Sequence, residues 1–305
     1  MLVYLPIAEM SVNAFLIFGL GGMVGVISGL FGVGGGFLMT PLLIFLGVPP
    51  AVAVSTQAPQ IVASSLSGVL AYWKRGLVDV KMAMVLLVGG LIGSWTGVQI
   101  FSLLRQIGQV EFVVSLLYVV FLGIVGGLMA FESLSTLRRR RSGATASAPR
   151  KRRWLHKLPF KMRFKTSKLY MSAIPPLAIG LVIGVLGAVM GVGGGFIMLP
   201  AMIYILGMPT NVVVGTSLFQ ILFVMAFTTL LHAVENKTVD AMLALILLLG
   251  GVVGAQVGAA LGARLRGEQL RLLLAALVLG VGIKLMLDLT LTPDELFSID
   301  LGATR

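Results

Sequence analysis

Long stretches without any charged side chain dominate the pattern of this chain. No Asp, Glu, Lys or Arg occurs in residues 10–73, 82–104, 112–131, 169–234 and 241–263. Since about 20 apolar residues cross the hydrocarbon core of a bilayer as a helix, each tract near that length predicts one membrane span. The two longest tracts must each hold more than two apolar segments, and a last span is predicted near 270–287.

Composition excludes a water-soluble globule. The chain is 58% hydrophobic and 11% charged, with a mean hydropathy of +1.04, whereas soluble domains carry about a quarter charged residues. The chain has no cysteine, which excludes disulfides, thiolate metal sites and cysteine nucleophiles. Neither a metal nor a cofactor is predicted. Because no acid–base pair lies within the spans, an enzyme is not expected.

Basic residues are concentrated in one segment, 138–168. It holds 13 of the 23 Lys and Arg residues and no acidic one. Such a cluster is typical of a nucleic-acid-binding tail or of a cytoplasmic loop that follows the positive-inside rule, and the apolar surroundings favour the loop. Trp154, Phe160 and Phe164 are interleaved with the basic residues, which suits contact with anionic lipid headgroups. No nucleic-acid partner is expected.

The sequence repeats itself. Residues 32–41 and 191–200 share 8 of 10 identities, and Leu-Gly-x-Pro turns follow at Leu46 and Leu206. Asp79 and Asp240 also occupy equivalent positions. The predicted organisation is therefore a first membrane repeat, a basic cytoplasmic loop, a second membrane repeat and a C-terminal tail. Their predicted bounds are 1–131, 132–168, 169–290 and 291–305.

The short loops predict opposite orientations for the two repeats. With 138–168 inside, the loop at 73–81 is also inside and is basic, but its equivalent at 234–240 carries a single Lys. The next loops, 104–109 and 263–271, show the reverse bias. We therefore predict an all-α polytopic membrane protein of two inverted repeats, each of about four spans plus a glycine-broken half-helix. Inverted repeats are typical of secondary transporters, whose substrate sites lie near the midplane.

The half-helix follows from the glycine motif. Three consecutive glycines disfavour a helix by near 1 kcal/mol each, and the apolar pieces after them, 38–47 and 197–207, would span about half a bilayer. The main-chain amides of the glycines can bind an anion at close range. The alternative is tight packing of small residues, which suits the spaced glycines at 89, 93 and 97 and their equivalents better than the consecutive ones.

A substrate site is predicted at the two glycine breaks and the polar side chains after them. These side chains can donate hydrogen bonds without carrying charge, and both repeats place them early in the span that follows the half-helix. The twelve candidates are Gly34, Gly35, Gly36, Thr56, Gln57, Gln60, Gly193, Gly194, Gly195, Thr216, Ser217 and Gln220. His232, which aligns with Tyr72 at a span end, is expected at the membrane interface.

The doubled Gly-Val-Gly-Gly-Gly-Phe motif, the following prolines, the Leu-Gly-x-Pro turns and the Thr/Gln pairs resemble the TauE/SafE family of sulfite exporters. The resemblance covers nearly all of 10–287. It implies a transporter of the bacterial inner membrane with two related four-span halves. It also implies a small anionic substrate, sulfite or a sulfonate such as sulfoacetate. Related thiosulfate transporters are thought to rely on cysteines, and this chain has none.

The expected mechanism is alternating access without a fixed ion partner. No Asp, Glu, Lys or Arg interrupts the core spans, so no proton relay is expected there. An anion leaving a negative-inside cell gains about 2.3 kcal/mol per charge per 100 mV. Export can then run downhill, with one repeat rocking against the other. The alternative is a membrane scaffold or sensor that transports nothing and acts through the basic loop.

Overall fold

The computed structural model describes residues 2–31, 36–141, 159–164, 166–167, 169–262 and 267–290. Gly34, Gly35, most of the predicted basic loop and the predicted tail lie outside the described residues. The helices of the first repeat are α1 (Ala14–Phe31), α2 (Gly36–Phe45), α3 (Pro50–Lys74), α4 (Val80–Gln106) and α5 (Val110–Arg141). Those of the second are α6 (Ile174–Met190), α7 (Gly195–Pro200), α8 (Thr210–Leu231), α9 (Ala241–Gly262) and α10 (Gly267–Thr290). A π-helical turn continues α7 over Ala201–Ile205, and another continues α8 over His232–Asn236.

Four stretches of the described helices are long and apolar enough to cross a membrane: Val80–Gln106, Val110–Gly127, Val212–Asn236 and Ala241–Gly258. Shorter apolar helices accompany them in both halves, α2 and α7 among them. The chain is therefore a multi-pass, predominantly helical membrane protein, which confirms the predicted all-α polytopic class. The half-helices also match the predicted short apolar pieces, since α2 ends at Phe45 and the π-helical turn after α7 ends at Ile205.

A β-hairpin precedes the first helix of each repeat, and the sequence pattern did not reveal either one. Strands β1 (Leu2–Leu5) and β2 (Met10–Asn13) pair antiparallel before α1, and β3 (Lys161–Phe164) and β4 (Leu169–Ser172) pair antiparallel before α6. Each strand has only four residues, too few for a clear alternation of apolar and polar positions. The second hairpin occupies the end of the predicted basic loop and buries Phe164 fully.

Each half-helix returns toward the face where its repeat begins. Met10 of the first hairpin lies next to Gly47, just after α2, and the buried side chains of this hairpin share a core cluster with Leu43 of α2. In the second repeat, Phe164 and Met171 of the hairpin share a core cluster with Leu206, which follows the half-helix. Helices α1 and α2, like α6 and α7, therefore form a re-entrant pair.

The two repeats are packed crosswise through glycines. A Cβ at Gly250, Gly254 or Gly258 of α9 would overlap the carbonyl oxygens of Phe18, Gly22 or Val26 of α1, respectively. Residue numbers rise together on the two helices, so α1 and α9 run parallel with their backbones in contact. The same relation joins α4 to α6, where Gly180 faces Leu86 and Gly93 faces Leu181. The first helix of each repeat thus packs on the fourth helix of the other.

The equivalent helices α3 and α8 run in opposite directions. Thr56, in the second turn of α3, lies beside Asp240, which follows α8. Thr216, in the second turn of α8, lies beside Asp79, which follows α3. The start of each helix is therefore next to the end of the other. This antiparallel pair brings the middle of both repeats together.

Candidate solute site at the glycine breaks

The chain breaks its helix at the second glycine motif. Helix α6 ends at Met190, and α7 begins at Gly195. Between them, Gly191, Gly193 and Gly194 have φ values of 71, 71 and 72°, a region that costs a residue with a side chain about 1–2 kcal/mol. The predicted break is confirmed in this repeat. In the first repeat, α1 ends at Phe31 and α2 begins at Gly36.

The two glycine motifs touch each other at Gly36, as a shared site requires. A Cβ at Gly36 would lie 3.0 and 2.9 Å from the carbonyl oxygens of Gly191 and Val192. The phenylalanines of the two motifs, Phe37 and Phe196, are stacked with ring centroids 4.4 Å apart. The backbone of one repeat therefore lies directly against the backbone of the other.

Side chains of the first repeat satisfy the carbonyls at the end of α6, which have no helical partner. Tyr118 donates its hydroxyl to the Met190 carbonyl over 2.6 Å, and the Thr40 hydroxyl lies 3.5 Å from the same oxygen. Gln57 donates its amide to the Gly191 carbonyl. Gln57 is among the residues predicted from sequence, whereas Tyr118 and Thr40 are not, because they lie on α5 and α2, away from the repeated Thr and Gln positions of α3.

Gln60 and Gln220 occupy equivalent places between helices. Gln60 lies against Gly251 of α9, and Gln220 lies against Gly90 of α4, each amide filling the space that a side chain would otherwise take. Both glutamines are buried. Within the described part of the chain, the Oε1 atoms of Gln220 and Gln57 are buried without a hydrogen-bond partner. Buried amide groups that lack partners are candidates for solute binding.

Thr56 and Thr216 have a structural task. The Thr56 hydroxyl accepts the main-chain N–H of Asp240 over 3.0 Å, and the Thr216 hydroxyl accepts that of Asp79 over 3.0 Å. Each threonine thus joins its own repeat to the other. Ser217 donates its hydroxyl to the Val214 carbonyl in its own helix over 3.0 Å.

The two aspartates tie each hairpin to the opposite repeat. Asp79 accepts the main-chain N–H of Ser167 (2.9 Å) and its hydroxyl (2.6 Å), and also caps α4 at Met82. Asp240 accepts the main-chain N–H of Ile7 over 3.0 Å, and caps α9. The sequence showed that these residues are equivalent, and an Asp just before an apolar helix is an N-cap signal. Their partners in the hairpins could not be read from it.

Three glycines of the motifs, Gly36, Gly193 and Gly194, lie against isoleucines. Ile61 lies against both Gly36 and Gly193, and Ile183 lies against Gly194 so closely that a Cβ there would overlap it. Close packing and positive φ therefore both require glycine at Gly194. The side of each of these glycines that carries no side chain is therefore occupied by protein. The groups left to bind a solute are the main-chain amides and the glutamine side chains.

Charge is absent from the centre of the described structure. Among the residues whose burial the structure describes, the buried acidic ones are Asp79 and Asp240, both at helix N-termini, and no Lys or Arg is buried. No group of three His, Asp or Glu residues in the described ranges could hold a metal ion. His232, predicted to lie at the membrane interface near the end of a span, is enclosed by protein at the end of α8. This side chain is fully buried, with Nε2 3.0 Å from the Ala188 carbonyl and Nδ1 3.1 Å from the Asn236 amide.

Comparison of the chain with known proteins identifies one family. The model of the family "Sulfite exporter TauE/SafE" matches residues 17–285. The probable membrane transporter protein YjnA of Bacillus subtilis is 30% identical over 277 residues, which cover 91% of this chain and all of that protein. A probable membrane transporter protein of Xylella fastidiosa is 31% identical, over 80% of this chain and 84% of that protein. The Arabidopsis thaliana TauE/SafE family protein 3 is 33% identical over 31% of this chain and 20% of its own length. No solved structure matches significantly.

Proposed function

Since the chain belongs to the TauE/SafE sulfite exporter family and is a membrane transporter, we propose that it exports a small anion across the bacterial inner membrane. The proposed substrates are sulfite and small sulfonates. The protein acts by moving its substrate rather than by chemical catalysis. The contact between the two glycine motifs, from Gly36 to Gly191 and Val192, lies beside buried amides and away from buried charges, and it is the observation that carries this proposal.

An uncharged site suits an anion that must be released again. Main-chain and glutamine amides can replace part of an anion's hydration shell, while a buried Lys or Arg would hold the anion more strongly in a medium of low dielectric constant. The proposed binding groups are the amides of Gly34–Gly36 and Gly193–Gly195, together with Gln60 and Gln220. Gln57, Thr56, Thr216 and Ser217 then support this site through the bonds described above.

Opposite orientation of the repeats is also part of the proposal, and the connections support it. A re-entrant pair returns to its own face, so the three helices after it take the chain across the membrane an odd number of times. The second repeat then begins on the other face. With the basic segment 138–168 in the cytoplasm, the hairpin β3–β4 lies at the cytoplasmic face and β1–β2 at the outer face.

The moving parts are crossed units rather than whole repeats. Rocking one repeat against the other would separate α1 from α9 and α4 from α6, where backbone meets backbone. One crossed unit comprises α1, α2, α9 and the hairpin β1–β2, and the other comprises α6, α7, α4 and the hairpin β3–β4. Each hairpin is bonded to an aspartate of its own unit. Alternating access then changes the contact between the units at the two breaks.

Efflux from proteoliposomes tests the function. Proteoliposomes that contain the purified protein and are loaded with sulfite or a single sulfonate should release the anion faster when an imposed potential makes the vesicle interior negative. Gln60→Met and Gln220→Met should each reduce efflux at least about tenfold. The control Gln256→Met changes an exposed glutamine of α9 and should retain wild-type efflux. Strict dependence on a proton gradient would contradict uncoupled export.

The scaffold or sensor acting through the basic loop is tested by a deletion. Phe164 is buried and Ser167 is bonded to Asp79, so the deletion should remove only 142–158. A transporter should retain efflux after this deletion. If the protein is a scaffold, the full-length chain should show no efflux, and the deletion variant should lose the cellular effect of the protein.

A further inference from the structure

The side chain of Gln57 has a fixed orientation. A glutamine amide has an NH₂ donor and an oxygen acceptor, whose positions are usually assigned from the hydrogen bonds around them. Here the group facing the Gly191 carbonyl must be the donor, because a carbonyl oxygen can only accept. Oε1 therefore points away from Gly191 as an acceptor. It is buried and has no partner in the part of the chain that the structure describes.

The hydroxyl groups near this amide are already engaged. The Tyr118 hydroxyl donates to the Met190 carbonyl over 2.6 Å, and the Thr40 hydroxyl approaches the same oxygen at 3.5 Å. The second repeat has Ser217 at the equivalent position, and its hydroxyl bonds to Val214 in the same helix. The first repeat therefore contributes an acceptor that requires a donor, and this acceptor has no counterpart at position 217.

Resting on the proposed function, we infer that Gln57 selects anions that carry a hydrogen-bond donor and a single negative charge. Hydrogen sulfite and hydroxylated sulfonates have both properties. A fully deprotonated dianion would present only lone pairs to the Gln57 oxygen. The charge of the ion also favours a monoanion, because the desolvation cost of an ion rises steeply with its charge. No Lys or Arg whose burial the structure describes is buried to offset that cost.

Two isosteric sulfonates provide the probe. Isethionate and propane-1-sulfonate have the same charge and the same number of heavy atoms, but only isethionate has a hydroxyl. In proteoliposomes at subsaturating concentration, the wild-type protein should transport isethionate at least about tenfold faster, the factor expected of one well-placed hydrogen bond. Gln57→Met should reduce the ratio to about one, and the control Gln256→Met should retain it.

The outcomes separate this inference from the proposed function. If neither sulfonate nor sulfite crosses the membrane, the proposed function fails. Equal transport of the two sulfonates by the wild type overturns the inference and leaves the function intact. A preference that persists in Gln57→Met overturns the role of Gln57. If that variant does not fold, the pH profile of sulfite efflux by the wild type decides: efflux should follow the hydrogen sulfite fraction, and a flux that follows the dianion overturns the inference.

Discussion

At the scale of single residues, two threonines join the repeats. Thr56→Val and Thr216→Val keep the side-chain shape but leave the main-chain N–H of Asp240 or Asp79 without its acceptor. A buried donor without a partner costs about 1–3 kcal/mol, so each variant should unfold at lower temperature in detergent. Thr96→Val is the matched control, since the Thr96 hydroxyl bonds only to its own helix. Equal melting temperatures for Thr216→Val and Thr96→Val would contradict the assignment.

The aspartates make a second prediction at this scale. Asp79→Ala removes both the cap of α4 and the bonds to Ser167, and should destabilise the protein by about 1–3 kcal/mol. Asp79→Asn keeps one oxygen for the cap and should cost less. The exposed Asp288 provides the control Asp288→Ala, which should be nearly neutral. Thermal unfolding monitored by circular dichroism should rank the melting temperatures as Asp288→Ala, then Asp79→Asn, then Asp79→Ala, from highest to lowest. An Asp79→Ala variant as stable as the wild type would refute the prediction.

At the scale of elements, glycine spacing decides which helices pair. A Cβ at Gly93 would overlap the Leu181 carbonyl, whereas a Cβ at Gly19 would meet nothing within 4 Å. Gly93→Ala should therefore force α4 from α6 and lower stability by about 1–3 kcal/mol. Gly19→Ala should be neutral or stabilising by up to about 1 kcal/mol, because alanine favours the helix. The two melting temperatures, measured under the same conditions, should differ in that direction, and similar values would refute the close packing.

At the scale of the whole molecule, cross-linking tests the crossed units, and the chain has no cysteine to remove first. Asp79→Cys with Ser167→Cys joins positions within one unit, and Phe37→Cys with Phe196→Cys joins the two units at the stacked rings. A short reversible bis-thiosulfonate reagent should leave anion efflux largely intact in the first pair. In the second pair it should abolish efflux until a reductant is added. Loss of efflux in the first pair would instead indicate that whole repeats move.

The spans, the glycine break and the two repeats could be predicted from the amino-acid sequence, because each of these features has a local cause. Runs without charge predict spans, consecutive glycines predict the break now seen before Gly195, and near-identical motifs predict two repeats. The family could also be predicted, since its motifs are contiguous in the chain. Of the candidate residues, Gln57, Gln60 and Gln220 are indeed buried near the centre.

The contacts between distant groups could be learned from the folded molecule alone. The tie between Ser167 and Asp79, the engagement of Thr56 with Asp240, and the pairing of α1 with α9 join positions far apart in sequence. The four-residue strands of the hairpins are stabilised by packing on the other elements, so they leave no periodic signal of their own. The role of Gln57 depends on which way its amide faces. That orientation is set by a carbonyl of the opposite repeat, and no local pattern encodes it.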